Sequence, residues 1–191
     1  MTEHTAPGGH LASHMVGPLL LDSLDFVWAR IRARLEGLGP DEYLWEPVSD
    51  CWSVRATDNA GWQVERAWPE PEPAPVTTIA WRLWHIASEC MASYTSRGLG
   101  SWPLAVSGRD WYRDVADALG AVDQTWEAFR TGLGALGEEG LWRPMGEAWG
   151  PYAAEPWARL VLHAQDELSH HGAEVALLRD LYARRQAHVP G

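Results

Sequence analysis

Residues 163–175, HAQDELSHHGAEV, combine three histidines with three acidic side chains. Imidazole and carboxylate groups are the side chains that bind divalent metals and that move protons near neutral pH. The surrounding sequence, LVLHAQDELSHHGAEVALLRDLYARR, is otherwise typical of an amphipathic helix. The direction in which these groups point therefore decides whether they form a surface patch or a site.

Helical geometry, at about 100° per residue, predicts that this cluster faces the protein core. With His163 placed at zero, four further polar positions fall between about −20° and +80°: Glu167, His170, His171 and Glu174. Leucines occupy the same arc above and below the cluster, at positions 160, 178 and 181. The opposite side is small or polar and is predicted to face solvent; it carries Ala158, Gln165, Ser169, Ala176 and Asp180.

Glu167 and His171 are the pair in this cluster with the spacing that two metal ligands on one helix need, because residues four apart lie one turn above each other. A carboxylate and an imidazole buried without partners would cost several kcal/mol, and a bound metal removes that cost. Two alternatives to a metal site stay open: a solvated helix face, and histidines that are hydrogen-bonded in the core. A metal held by His163 and His171, two turns apart, is a third alternative.

A third ligand can come from the segment AWRLWHIASECM. His85 is surrounded there by Trp81, Leu83, Trp84 and Ile86, and Glu89 follows one turn later. A histidine on the apolar face of a second helix is a candidate ligand, although a lone histidine is weak evidence.

Hydrophobic periodicity predicts four long helices and hence an all-α fold, a four-helix bundle with a long loop between its first two helices. The helices are predicted to begin at Gly17-Pro18, after Pro75 with Thr77 or Thr78 as cap, near Gly108, and near Pro156, the last ending at about Arg185. The third has the clearest period, starting at Trp111. Strand signals are weak, since alternating β-branched runs and Asn-Gly or Asp-Gly turns do not occur.

The long loop, residues 39–75, contains four tryptophans and the alternating-proline run PEPEPAP. Tryptophans do not suit a disordered loop, which favours a segment packed across one end of the bundle. A surface insertion is equally compatible with the sequence.

Composition excludes several function classes. The net charge of −11 argues against duplex nucleic acid and anionic membranes as partners. Uninterrupted apolar runs are too short to span a bilayer, and the N-terminus lacks the pattern of a signal peptide. We expect a disordered lead at residues 1–16, a single domain at 17–186, and a cytoplasmic location in which Cys51 and Cys90 stay reduced.

The combination of WHI in a second helix with HxxxExxHHGAEVALLRDLY downstream resembles the DinB-like (YfiT-related) superfamily of metalloenzymes, over roughly residues 18–185. The CWSV stretch at 51–54 resembles that family's Trp-Ser segment. The resemblance implies a divalent metal, zinc first and nickel or iron as alternatives, held by His85, Glu167 and His171. Most members have HxxxH where this chain has ExxxH, and mycothiol-dependent maleylpyruvate isomerases share the glutamate. Those isomerases carry a further C-terminal domain for which this chain has no room.

Three protein ligands leave metal positions open, which is the catalytic arrangement. The predicted function is therefore thiol S-transfer or isomerisation of a small electrophile by a metal-activated, mycothiol-type thiol. His163 or His170 would assist proton transfer, and Asp166 or Glu174 would orient an imidazole. The alternatives are a metal-assisted hydrolase or lyase, and a non-catalytic bundle that binds a small molecule. Because family members often dimerise, the resemblance also implies a homodimer.

Overall fold

The computed structural model describes residues 16–185. The predicted disordered lead lies outside this range except for Val16, which is the first residue of helix α1. The described chain is mostly helical, in agreement with the predicted all-α class, and adds one small two-stranded sheet. Its elements are α1 (Val16–Leu35), α2 (Pro40–Tyr43), β1 (Val54–Ala56), β2 (Trp62–Val64), α3 (Ile79–Trp84), a π-helical segment (His85–Ala92), α4 (Ser93–Ser96), α5 (Val115–Leu141), a 3-10 segment (Glu147–Tyr152) and α6 (Trp157–Arg184).

Helix α3, the π-helical segment and α4 follow one another without a break, and we call them together the composite helix (79–96). The Thr78 hydroxyl accepts a hydrogen bond from the Trp81 backbone N–H and caps its first turn. Of the two predicted caps, Thr78 is therefore the one in use. The π-helical turns, which follow i→i+5 hydrogen bonding, were not predicted; such turns frequently occur at functional sites.

The long helices pack in a way that brings the composite helix and α6 together. Helix α1 lies along α6, and the composite helix lies between α5 and α6. The approach of α1 to α6 is close, since a Cβ added at Gly172 would lie 2.6 Å from Ile31 Cγ1. Among the residues described, no helix is both long and apolar enough to cross a membrane.

Helix α5 starts later than its periodicity predicted. The Asp114 carboxylate accepts hydrogen bonds from the backbone N–H groups of Ala116 and Asp117, which makes Val115 the first helical residue. Trp111 is 3% exposed but precedes the helix, and its backbone N–H binds the Trp62 carbonyl. Trp111 therefore fits the hydrophobic period because it is buried beside β2, and not because it is part of the helix.

The segment between α1 and the composite helix is packed rather than disordered for much of its length. Strands β1 and β2 pair antiparallel, with Val54 opposite Val64, and both valines are buried. Trp52 exchanges backbone hydrogen bonds with the chain just before the composite helix, at Val76 and Thr78. The proline-rich residues 69–75 are largely exposed. The structure thus supports the packed interpretation, with an exposed proline-rich stretch.

We predict that Gly132→Ala destabilises the protein, because the added Cβ would lie 2.6 Å from Leu99 Cβ and 2.9 Å from the Leu99 carbonyl oxygen. Overpacking of this kind costs about 1–3 kcal/mol. Gly120→Ala on the same helix meets no atom within 4 Å, so it should instead stabilise by up to about 1 kcal/mol. Thermal melts of both variants test this, and equal melting temperatures would contradict the close α5 contact.

Candidate metal centre

His85, Glu167 and His171 converge between the composite helix and α6. His85 is the first residue of the π-helical segment, and the other two stand one turn apart on α6. Glu167 Oε2 lies 3.4 Å from His85 Nε2 and 3.2 Å from His171 Nε2. The three side chains are 21%, 25% and 10% exposed, respectively. The structure therefore brings together three potential ligand atoms from two helices in a partly buried place.

The opposite nitrogen of each histidine contacts a second carboxylate. His85 Nδ1 lies 3.0 Å from Glu89 Oε2, and His171 Nδ1 lies 2.7 Å from Glu174 Oε2. In each ring this contact is shorter than the one from Nε2, which favours the tautomer that carries the proton of a neutral imidazole on Nδ1. The Nε2 lone pairs then face Glu167 Oε2, itself an acceptor.

In this tautomer, two imidazole nitrogens and a carboxylate oxygen face one another with no proton between them. These acceptor atoms repel one another, and a bound cation would remove the repulsion. Two ligands about 2.0–2.1 Å from a tetrahedral zinc are separated by about 3.3 Å. The observed separations of 3.4 and 3.2 Å match that value. A carboxylate on the outer nitrogen of a ligating histidine is also the usual arrangement in metal sites. The residues present thus fit a divalent metal.

Each supporting carboxylate is in turn held by an arginine that stacks on a tryptophan. Arg82 Nε lies 2.8 Å from Glu174 Oε2, and its guanidinium lies 5.2 Å from the centre of the Trp81 ring. Arg66 pairs with Glu89 and lies 5.8 Å from the centre of the Trp84 ring. Both histidines are therefore oriented by the same kind of chain, imidazole to carboxylate to arginine.

The pKa values agree with neutral imidazole beside ionised carboxylate. Burial, with the neighbouring His171, lowers the pKa of His85 to about 4, so its ring is neutral at pH 7. Burial would raise the pKa of Glu167, but the neighbouring imidazoles of His85, His171 and His163 outweigh it and lower the pKa. The pKa of Glu174 is lowered in the same way, by His171 and Arg82 against the effect of burial.

His163 and His170, the predicted proton-transfer residues, lie at the exposed edge of the cluster. Their side chains are 52% and 64% exposed. His163 Nε2 lies 3.1 Å from the Tyr94 hydroxyl and 3.8 Å from Glu167 Oε1. His170 Nε2 lies 3.4 Å from Glu174 Oε1. The alternative pair of His163 with His171 is not favoured, because Glu167 stands between them and contacts both.

The inward direction predicted for the whole cluster was only partly right. With His163 again placed at zero, the buried residues of α6 centre near +110°, so the polar cluster lies along one flank of the buried face. These buried residues are Trp157, Ala158, Leu160, Val161, Ala164, Leu168, His171, Val175 and Leu178. Burial accordingly declines from His171 through Glu167 to His163. Ala158, expected to face solvent, is buried, and Leu181, expected inside, is 46% exposed.

Sequence reasoning named some of the supporting residues and missed others. Glu174 has the orienting contact that was expected, whereas Asp166 is exposed. Arg82 was missed, although a lone charge inside the apolar run AWRLWHI signals a paired side chain. Arg66 was missed because it lies in the loop, where no local pattern connects it to Glu89.

Two further side chains from the composite helix line the Glu167 side of the site. Cys90 Sγ lies 3.7 Å from Glu167 Oε2, and burial together with that charge raises the pKa of the thiol to about 12. Burial also raises the pKa of the Tyr94 hydroxyl. Both groups are therefore protonated at neutral pH, so Cys90 is not an activated nucleophile.

Two cavities flank the cluster. One of about 110 Å³ contains His85 and Glu89 and is bordered by Trp52 and Trp68, the latter 88% exposed. The other, of about 540 Å³, is bordered by Tyr94 and His163, and its volume is within the range typical of small-molecule pockets. The smaller cavity thus reaches His85 itself, whereas the larger one ends at His163, one turn before Glu167.

Comparison with known proteins supports the resemblance to the DinB-like superfamily. The family model of the DinB superfamily matches residues 23–175. No curated protein and no solved structure gives a significant match. The matched region covers most of the chain and includes His85, Glu167 and His171, so this chain belongs to the DinB superfamily.

Proposed function

We propose that this chain is a divalent-metal enzyme in which His85, Glu167 and His171 are the ligands, with zinc as the first candidate and nickel or iron as alternatives. The observation that carries the proposal is the convergence of three acceptor atoms, each histidine being oriented by a carboxylate. The long helices would form the four-helix bundle expected for the superfamily, with the site between two of them. The two unpaired cysteines support a cytoplasmic location.

A second group of three potential ligands does not compete with this assignment. His170, His171 and Glu174 also lie close together. Glu174 Oε2, however, already contacts His171 Nδ1 at 2.7 Å and forms an ion pair with Arg82 Nε at 2.8 Å. The Glu174 carboxylate therefore already has its partners, so we assign it to orienting His171 rather than to binding the metal.

The proposed reaction is transfer or isomerisation through a low-molecular-weight thiol of the mycothiol type. A bound divalent metal would act as a Lewis acid that lowers the pKa of a coordinated thiol. The only described cysteine beside the cluster, Cys90, is 3% exposed and therefore poorly accessible to a substrate, so the nucleophilic sulfur would come from a cosubstrate. The partial exposure of Glu167 and His163 gives such a molecule access.

His163 is the residue best placed to move a proton. It borders the larger cavity and contacts both Glu167 and the Tyr94 hydroxyl. In the proposed sequence it accepts the thiol proton as the sulfur bonds to the electrophilic carbon. In S-transfer it then gives that proton to the leaving group, whereas in isomerisation the carbon–sulfur bond breaks again and the proton returns to the thiol. His170 lies against Glu174 and the His171 ring at the exposed edge of the cluster but lines neither cavity, so it would have no direct part in this proton transfer.

We predict that His171→Ala weakens zinc binding more than roughly 100-fold, because it removes a ligand that is itself oriented by a carboxylate. The neighbouring His170→Ala is the matched control, since that ring is 64% exposed, and it should change the affinity by no more than about threefold. Elemental analysis gives the stoichiometry, and competition with a chromogenic chelator gives the affinity. A wild type without divalent metal, or equal losses in the two variants, would refute the metal assignment.

Removal of the orienting carboxylates should weaken the site while leaving its ligands in place. We expect Glu89→Gln and Glu174→Gln each to reduce zinc affinity about 10- to 100-fold, because a neutral amide no longer polarises the imidazole. Asp166→Asn, at an exposed position of the same helix, should match the wild type. Unchanged affinity in both glutamine variants would show that the two contacts have no role in metal binding.

Activity should depend on added thiol. With zinc-loaded protein and 1-chloro-2,4-dinitrobenzene as a generic electrophile, we expect conjugation of mycothiol above the spontaneous rate. His163→Ala should lower kcat about 10²- to 10⁴-fold, as for loss of a general base, with the metal retained. Measurement of kcat against pH separates loss of proton transfer from loss of binding. Turnover of any substrate at full rate without thiol would instead support the hydrolase or lyase alternative, with water as nucleophile.

A further inference from the structure

The 540 Å³ cavity combines apolar walls with positive charge. Its apolar lining residues include Trp149, Tyr152, Met145 and Leu160. Arg97 and Arg159 provide its charge, and none of the described residues that line it is acidic. The chain as a whole has 26 acidic against 15 basic residues, so a lining that carries only positive charge departs from the rest of the molecule. A lining of this kind favours an anionic group on an otherwise apolar ligand.

Among the described residues, neither arginine is held in a buried ion pair that would prevent it from binding such a group. Arg97 lies 5.4 Å from the centre of the Trp149 ring, which holds its guanidinium at the cavity wall without neutralising it. Arg159 approaches Glu155 at 3.7 Å in a pair that is largely exposed. Exposed pairs of this type contribute little free energy and exchange readily. A ligand carboxylate can therefore replace Glu155 as the partner of Arg159.

The sequence of α6 connects this charge to the candidate metal centre. Arg159, His163, Glu167 and His171 follow one another at four-residue steps, which places them along one side of the helix. Each step rises about 6 Å, so the Arg159 position lies about 12 Å along the axis from that of Glu167. His163, the proposed proton-transfer residue, lies between them and borders the cavity.

On the basis of the proposed function, we propose that this cavity binds the electrophilic substrate, and that the substrate is an aromatic or similarly apolar small molecule whose carboxylate is held by Arg97 and Arg159. The other end of the substrate then points along α6 toward His163 and Glu167. Trp149 and Tyr152 pack against its apolar body. The two arginines thereby select for charge, and the aromatic walls select for shape.

Ligand-observed NMR with 2-naphthoate and its neutral analogue 2-naphthamide tests this proposal on the full chain. We expect 2-naphthoate to bind at least about tenfold more tightly, in zinc-loaded and in EDTA-treated protein alike. Arg97→Gln and Arg159→Gln should each weaken 2-naphthoate about three- to tenfold and leave 2-naphthamide within about twofold. The matched control is Arg113→Gln, because Arg113 is also exposed and lies 5.0 Å from the centre of a tryptophan ring, that of Trp62; it should not change either ligand.

The outcomes separate this proposal from the proposed function. Binding of 2-naphthoate that EDTA abolishes would place its carboxylate on the metal, which overturns the arginine assignment but supports the metal centre. Arginine-dependent binding by a protein that takes up no zinc would support the anion site and refute the metal enzyme. Glutathione alone serves as a third ligand. If its binding depends on both arginines while 2-naphthoate fails to bind, the anionic group belongs to the thiol, and the electrophile assignment is wrong.

Discussion

The site depends on one electrostatic constraint, the close approach of two imidazole lone pairs and a carboxylate oxygen. Glu167 Oε2 lies within 3.4 Å of both Nε2 atoms, and acceptors at that distance repel unless a proton or a cation lies between them. The outer nitrogens cannot relieve this repulsion, because Glu89 and Glu174 already accept their protons. Partial burial strengthens the effect by lowering the local dielectric. A divalent cation would resolve all of these conditions together, and this supports the proposed metal centre.

The fold maintains this arrangement by holding the composite helix against α6. Helix α1 packs along α6 closely enough that Gly172, next to His171, has no room for a side chain. The π-helical segment begins at His85, and Glu89, four residues later on the same segment, lies 3.0 Å from its Nδ1. The loop that precedes the composite helix contributes Arg66, which pairs with the other carboxylate oxygen of Glu89. Each histidine is thus fixed by groups from its own helix and from outside it.

Some of the site could be predicted because helical spacing is a local property. Glu167 and His171 stand one turn apart on any α-helix, and the neighbourhood of His85 resembles a known family pattern. The exposure of His163 and His170 could not be predicted, because it depends on which side of α6 faces α1 and the composite helix. The late start of α5 illustrates the same limit: Trp111 fits the helical period, yet it is buried against Tyr43 and β2 instead. The arginines were missed because their partners are held by the three-dimensional arrangement of loop and helices.

The sequence by itself determined the helical class, the approximate positions of the long helices, and the residue types that could bind a metal. These follow from hydrophobic period and from chemistry that each side chain carries wherever it lies. Only the tertiary structure decided that His85 meets Glu167 and His171, that Glu89 and Glu174 orient the two rings, and that two arginines border a cavity beside His163. The physical reason is that these relations join residues far apart in the chain. They depend on the rotation and approach of packed helices, which no local pattern records.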